Sequence, residues 1–306
     1  MALQQPFQLR QTLATLCSLL FTAALLIGHH AYARDGQFDA SLREAVHSVP
    51  VPEASAVIVV TSYRPRGDGP FPWIVFNHGA AVSVQANREI GRNRNLPLMR
   101  EWVQRGYAVL VPVRRGYGAS GGAAFGDARG SCNRPGYRAS GEGASLDVLA
   151  TVNWARTQRD LDSRRWMLVG QSAGAFASIY AASKRPAGLT AVLAFAPGRG
   201  GDPDLRPGEP CAPEQMAALF KSVAPLIEVP VLWFYAANDE FFNVRVQKLW
   251  FDSFREGGGR GDLVVAPPFP ERRGHGVFTS ARGAPLWKPA VTAFFASQRV
   301  DLPFPP

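Results

Sequence analysis

Cysteine and histidine are scarce: three and five in 306 residues. A closely spaced Cys/His metal site needs more ligands than that, so neither a metal nor a cofactor is expected. Lysine is also rare, and arginine supplies most of the 33 basic residues behind a formal charge of +9. The arginines form no block with interleaved aromatics. Arg92, Arg94 and Arg100 are too sparse for a nucleic-acid surface, as is the pair Arg272 and Arg273, so no nucleic-acid partner is expected. Arg260-Gly261-Asp262 reads as the end of a glycine turn. Internal repeats, low-complexity tracts and linkers with a change of composition are all lacking, which predicts one folded domain.

Only one apolar run is long, Leu13 to Ile27, with Arg10 before it and Ala31-Tyr32-Ala33 after it. A charged start, an apolar stretch and a small-x-small site make the layout of a cleaved export signal. The run is short and rich in Thr and Ala for a permanent span. Residues 1–33 are therefore predicted to be a signal peptide, and 34–306 the mature chain, exported to a periplasmic or extracellular compartment without a stable membrane anchor. Removing the leader takes away Cys17, His29 and His30. His47, His78 and His275 remain, with Cys132 and Cys211 in Gly/Pro-rich loops. In an oxidising compartment the two cysteines are expected to pair.

Apolar runs of strand length recur at Ala56–Tyr63, Trp73–Phe76, Tyr107–Val113, Trp166–Gly170, Leu189–Ala196, Val229–Tyr235 and Leu263–Ala266. Helical spacing lies between them, at Leu98–Arg105, Glu142–Arg156, Val244–Phe254 and Pro285–Ser297. Near-continuous apolar strands alternating with helices predict a mostly parallel sheet covered on both faces. Pro197 to Pro213 is the longest Gly/Pro/Asp-rich segment of the mature chain and predicts a loop insertion.

The stretch with chemistry in it is Gly170-Gln171-Ser172-Ala173-Gly174, at a strand-to-helix joint. A serine between two glycines there can sit on a sharp turn with its hydroxyl exposed. Such a nucleophile needs a base, and the base needs an acid to hold its tautomer. His275 is the single histidine after Ser172. Asp239 follows the Val231–Tyr235 run and is the expected acid, with Glu240 as runner-up; Asp202 and Asp204 read as solvated loop residues. The expected oxyanion donors are the amides of Ala173 and of Ala80, or Ala81 in its place. His78 reads as a former of the loop around Gly79. Tyr117, Phe241 and Phe242 are candidate walls of a substrate pocket, or equally ordinary core.

Four segments now line up: Asn77-His78-Gly79, Arg115 to Gly121, Gly170 to Gly174, and Asn238-Asp239 with His275 after it. Together the chain resembles the α/β-hydrolase superfamily, and more narrowly the secreted, serine-type relatives of dienelactone hydrolases and bacterial esterases. The resemblance implies an eight-stranded, mainly parallel sheet and assigns nucleophile, acid and base to Ser172, Asp239 and His275. It makes Arg115 to Gly121 a structural loop, so Ser120 is no rival nucleophile. Dienelactone hydrolases proper use a cysteine nucleophile, so their substrate does not carry over. Ala175 stands where a further glycine is frequent. The expected activity is hydrolysis of a small carboxylic ester through an acyl-enzyme, with no cofactor. A peptidase or amidase with the same triad and an inactive binding relative are the alternatives, and the oligomeric state is left open.

Overall fold

The chain is described by a computed structural model covering residues 36–122, 131–302 and 304. The predicted leader, with Cys17, His29 and His30, lies outside the described residues. No helix among the described residues is long and apolar enough to cross a membrane.

Asp39–Pro306 forms a compact unit around a sheet of eight strands. In chain order these are β1 (Ala45–Val51), β2 (Ala56–Tyr63), β3 (Phe71–Asn77), β4 (Ala108–Val113), β5 (Leu161–Gln171), β6 (Leu189–Phe195), β7 (Val231–Ala236) and β8 (Gly261–Ala266). Their order in the sheet is β1-β2-β4-β3-β5-β6-β7-β8. The β1–β2 and β2–β4 pairs are antiparallel, and every pair from β4 to β8 is parallel. The helices are α1 (Val84–Arg88), α2 (Leu96–Gln104), α3 (Tyr137–Ala155), α4 (Ala173–Ala182), α5 (Pro213–Val223), α6 (Val244–Glu256) and α7 (Ala284–Gln298).

Strand side chains alternate between the two faces of a sheet, and here both faces are buried. Trp73 and Val75 of β3, with Trp166 and Leu168 of β5, join the core under α3, α4, α5 and α6. Ile74, Phe76, Met167 and Val169 join the opposite core, against Trp102 of α2 and Trp287 of α7. Trp73 and Trp166 face each other in the β3–β5 register and stack at 4.7 Å. This two-sided burial is why the strands read as unbroken apolar runs.

Helices α1 and α5 have no counterpart in the sequence expectation, and two further elements depart from it. The strand at Ala56 is the second, because Ala45–Val51 precedes it at the sheet edge. Only Val49 and Val51 are buried there, and Pro50 interrupts the run, as an edge strand permits. Helix α3 starts at Tyr137, five residues before the helical spacing that begins at Glu142 in the sequence. Its first turn is held by a side chain across the insertion, the Tyr137 hydroxyl donating to the Cys211 carbonyl. Cys132 and Cys211, separated by 79 positions in the sequence, form a disulfide with Cα atoms 4.8 Å apart. After Pro213 the insertion gives way to α5, whose Met216 and Phe220 are buried.

Two predictions arise from this packing. Burial, reinforced by Arg64, pushes His47 down to about 4; burial also holds His78 well below the ordinary value, with Arg114 adding to it. Unfolded histidines take up protons near pH 6.5 while these two resist, so stability is full above that pH and declines as pH falls toward 4. Urea midpoints measured between pH 7 and 5, above the main carboxylate range, should fall, and the His47→Gln variant should flatten part of that fall. Replacing both Cys132 and Cys211 with serine releases a long loop, worth about 4 kcal/mol in the chain-entropy model. The denaturation midpoint of that variant should drop accordingly.

Candidate active site

Strand β5 delivers Ser172 to the first turn of α4 with φ 56° and ψ −123°. A non-glycine residue rarely adopts this conformation, at a cost of roughly 1–3 kcal/mol, and its surroundings enforce it. The Ser172 amide donates to the Phe195 carbonyl (2.8 Å), and its own carbonyl receives the Phe176 amide (3.0 Å). A Cβ on Gly170 would lie 2.5 Å from the backbone of Gly174, and one on Gly174 would strike the carbonyl oxygens of Asn77 and His78. Both glycines are therefore required by space, the second because the end of β3 runs directly over the helix start.

The loop after β3 is fixed from both sides. His78 is buried; its Nδ1 donates to the Gly79 carbonyl (2.7 Å), and its Nε2 accepts from the Arg114 amide (3.3 Å). A neutral ring committed at both nitrogens is a loop support, not a base. Asn87 of α1 accepts from the Ala81 amide (2.6 Å) and donates to the Ala81 carbonyl (3.2 Å). Ala81 is thereby committed, which leaves Ala80 as the donor that this loop can offer to an oxyanion. No hydrogen bond takes up the amide of Ala80 or that of Ala173 among the described residues.

Asp239, at the end of β7, is buried. Its Oδ1 accepts the amides of Phe241 (2.8 Å) and Phe242 (3.2 Å). The same carboxylate accepts the Nδ1–H of His275, at 2.9 Å to Oδ2 and 3.1 Å to Oδ1, so Nε2 keeps its lone pair. Glu240 faces Arg273 instead, as does Asp204, and Asp202 caps its own loop through the amides of Asp204 and Leu205. The Phe241 ring stacks on His275 at 4.1 Å, and Phe242 meets it edge-on at 5.4 Å. His275 Nε2 is buried and has no hydrogen-bond partner, so it is not bonded to the Ser172 hydroxyl in this conformation. Such contacts often tighten only when substrate binds.

Gln171, which sequence reasoning passed over, connects these pieces. It precedes Ser172, its Nε2 donates to the His275 carbonyl (3.2 Å), and its Oε1 occupies the space that a side chain at residue 79 would need. One side chain thus touches both the loop of His275 and the loop after β3. The motif placed it beside the serine, but nothing in the sequence revealed its reach.

Ser172 and Ala173 line a cavity of about 200 Å³, with the disulfide, Arg199 and Arg206 among its other walls. His275 lines a larger one of about 860 Å³. Ala80, Ala81, Val82 and Phe241 belong to both, and Phe242 to the smaller. Tyr117 lines neither. It is fully buried, beneath the Arg114 guanidinium and edge-on to His78, so the expectation of a pocket wall there is corrected to core. The loop after β4 is structural. Arg115 binds the buried Asp147 of α3 (2.6 Å). Ser120 Oγ accepts from the Val59 amide and donates to the Val113 carbonyl.

A model of the X-Pro dipeptidyl-peptidase (S15) family matches residues 55–208, half of the chain. The chain belongs to that family. It is accordingly a hydrolase of the esterase/peptidase type, and no curated protein matches it closely enough to add more. Solved structures share its architecture at low identity. A Pyrococcus furiosus esterase is 17% identical over 86% of this chain and 95% of its own, with a TM-score of 0.56. A dienelactone hydrolase-like promiscuous phosphotriesterase from metagenomic libraries is 18% identical over 83% and 98%, TM-score 0.56. A Pyrococcus horikoshii acylaminoacyl peptidase is 14% identical over 83% of this chain and 41% of its own, TM-score 0.57. At such identities the likeness speaks for the α/β-hydrolase fold alone.

Because the space beside Gly174 is filled by backbone, Gly174→Ala cannot be absorbed by a side-chain move. It should destabilise the protein by about 1–3 kcal/mol, the usual range for overpacking, which chemical denaturation would register.

Proposed function

We propose that the protein hydrolyses carboxylic esters, with Ser172 as nucleophile, His275 as general base and acid, and Asp239 as the group that orients the imidazole. The observation that carries this reading is His275 itself. Its Nδ1 is bound to a buried carboxylate, while its Nε2 is unpartnered and the residue lines a cavity that shares Ala80, Ala81, Val82 and Phe241 with the one lined by Ser172 in its strained turn.

In this mechanism Nε2 takes the Ser172 proton as Oγ attacks the substrate carbonyl. Asp239, held in place by two backbone amides, orients the imidazolium and balances its charge. The amides of Ala80 and Ala173 receive the oxyanion, each such donor being worth about 3–4 kcal/mol in related chemistry. The imidazolium then protonates the leaving group, and water attacks the acyl-enzyme by the same route in reverse. No step needs a metal or an organic cofactor.

The family match favours a second reading, release of X-Pro dipeptides from peptides. A dipeptidyl acyl group brings a cationic amino terminus, which needs an acidic partner near the serine. The smaller cavity instead sets two arginines, Arg199 and Arg206, against a single carboxylate, Asp202. This charge balance supports the ester reading. Export from the cytoplasm is part of the proposal, supported by the disulfide, which persists in oxidising compartments. So is a single domain from residue 34 onward, after a cleaved leader.

p-Nitrophenyl acetate and longer esters, tested beside X-Pro anilides, decide between the readings. Ester turnover should dominate, fall by a thousandfold or more in Ser172→Ala, and fall about ten-thousand-fold in Asp239→Asn, where the wrong tautomer is held. Dominant anilide turnover would favour the peptidase reading. Full activity of Ser172→Ala would defeat the site assignment, and inertness toward every ester and amide would favour a binding role.

A further inference from the structure

Three arginines, Arg94, Arg272 and Arg273, line the larger cavity beside His275. Two of them are committed. Arg94 grips Glu44 with two nitrogens, at 2.7 and 2.6 Å; Arg273 pairs with Asp204 at 2.8 Å and faces Glu240 at 3.5 Å. No hydrogen bond or ion pair holds the Arg272 guanidinium among the described residues. Its neighbour Glu271 is engaged by Ser280 and Arg282, so the nearest acid along the chain does not neutralise it.

The position of Arg272 is nevertheless tightly determined. Arg272 and Arg273 both lie in the left-handed region, at φ 48° and φ 54°, a costly conformation for side chains of this size. The backbone holds them there. The Arg272 carbonyl receives the His275 amide (3.0 Å), and the Arg273 carbonyl receives the Glu240 amide (3.0 Å). The Arg272 stem lies over Gly276, where an added Cβ would come within 2.7 Å of its Cδ. The same strained turn that presents the imidazole therefore also anchors the backbone and stem of Arg272, an exposed residue with an uncommitted guanidinium, at the wall of the same cavity.

The side of the site follows from the chemistry. In acyl transfer the imidazolium protonates the departing atom, so the leaving group occupies the side that His275 lines, which is the larger cavity. Ser172 lines the smaller one, where the acyl group belongs. A guanidinium presents a planar fork of donors suited to a carboxylate or phosphate. We infer that Arg272 selects substrates whose leaving group carries an oxyanion, a carboxylate or a phosphate, while a small acyl group sits beside Ser172. This deepens the hydrolase reading and rests on it.

The test compares two acetate esters of matched shape, 4-acetoxybenzoate and its neutral methyl ester, with wild type, Arg272→Gln and Arg272→Lys. Comparing the ratio of kcat/KM for the anionic to the neutral ester between wild type and variant cancels the different reactivity of the two phenols. The ratio should fall by roughly tenfold or more in Arg272→Gln, chiefly through KM, and fall less in Arg272→Lys. Salt should lower it in the wild type. With 4-acetoxyphenyl phosphate as a third substrate, the same ratio tells phosphate from carboxylate preference. An identical ratio in wild type and Arg272→Gln overturns the inference and leaves the hydrolase reading intact, provided that turnover of the neutral ester depends on Ser172. Calorimetric binding of 4-hydroxybenzoate to Ser172→Ala, with and without Arg272→Gln, tests the anion site apart from turnover. Affinity that is absent, or unchanged by the second substitution, counts against it.

Discussion

The left-handed turn at Ser172 is the constraint around which the rest of the sheet's carboxyl edge is arranged. Holding a β-carbon-bearing residue at φ 56° requires that β5 stop abruptly, that α4 start at once, and that no side chain intervene on either side. Gly170 and Gly174 meet that demand in different ways. The first lets the turn fold on itself, and the second lets the β3 carbonyls cross the helix start. That crossing brings Gly79 and Ala80 beside the serine, so the oxyanion loop is a consequence of the same close approach. Strain of this kind survives only where the surroundings over-determine it, and the two-sided core beneath β5 provides them.

Around this turn, polar groups are settled before any substrate arrives. Asp239 has its oxygens on two amides and an imidazole, His78 is spent on its own loop, and Asn87 holds Ala81 at both ends. Preorganised dipoles of this sort need no rearrangement as charge develops in the transition state. Among the described residues that line the two cavities, the amides of Ala80 and Ala173, Nε2 of His275 and the guanidinium of Arg272 have no partner. In the proposed mechanism three of these serve acyl transfer, and the fourth lies on the side assigned to the leaving group.

Much of the fold was legible because burial on both faces writes strands as unbroken apolar runs, and seven of the eight could be read that way. The edge strand β1 could not, since only alternate residues face the core and Pro50 breaks the run. The start of α3 was hidden for another reason: Gly136, Ser140 and Gly141 look like a loop, yet Gly141 is small because the Tyr180 ring lies against it. The candidate triad could be proposed from order and spacing, since nothing else after Ser172 offers an imidazole. Tyr117 could not be placed, because an aromatic beside glycines suits a pocket wall and a buried loop equally. Gln171, Asn87 and the commitments of the arginines depend on contacts between distant loops, and no local pattern encodes those.

The family match ends at residue 208, and that boundary divides the site unequally. Before it lie Ser172, Ala173, Ala80, Arg199 and Arg206, which line the smaller cavity and in the proposed mechanism bind and attack the acyl group. After it lie Asp239, Phe241, Arg272 and His275, which in the same proposal supply the base, its orienting carboxylate and the side by which the leaving group departs. Membership of a peptidase family thus speaks chiefly for the nucleophilic half. The inferred selectivity of the other half belongs to loops after β7 and β8, where the strained turn before His275 also carries Arg272. An enzyme built this way can retain the attacking machinery of its relatives while changing the alcohol or amine that it releases, with alterations confined to the few residues around His275.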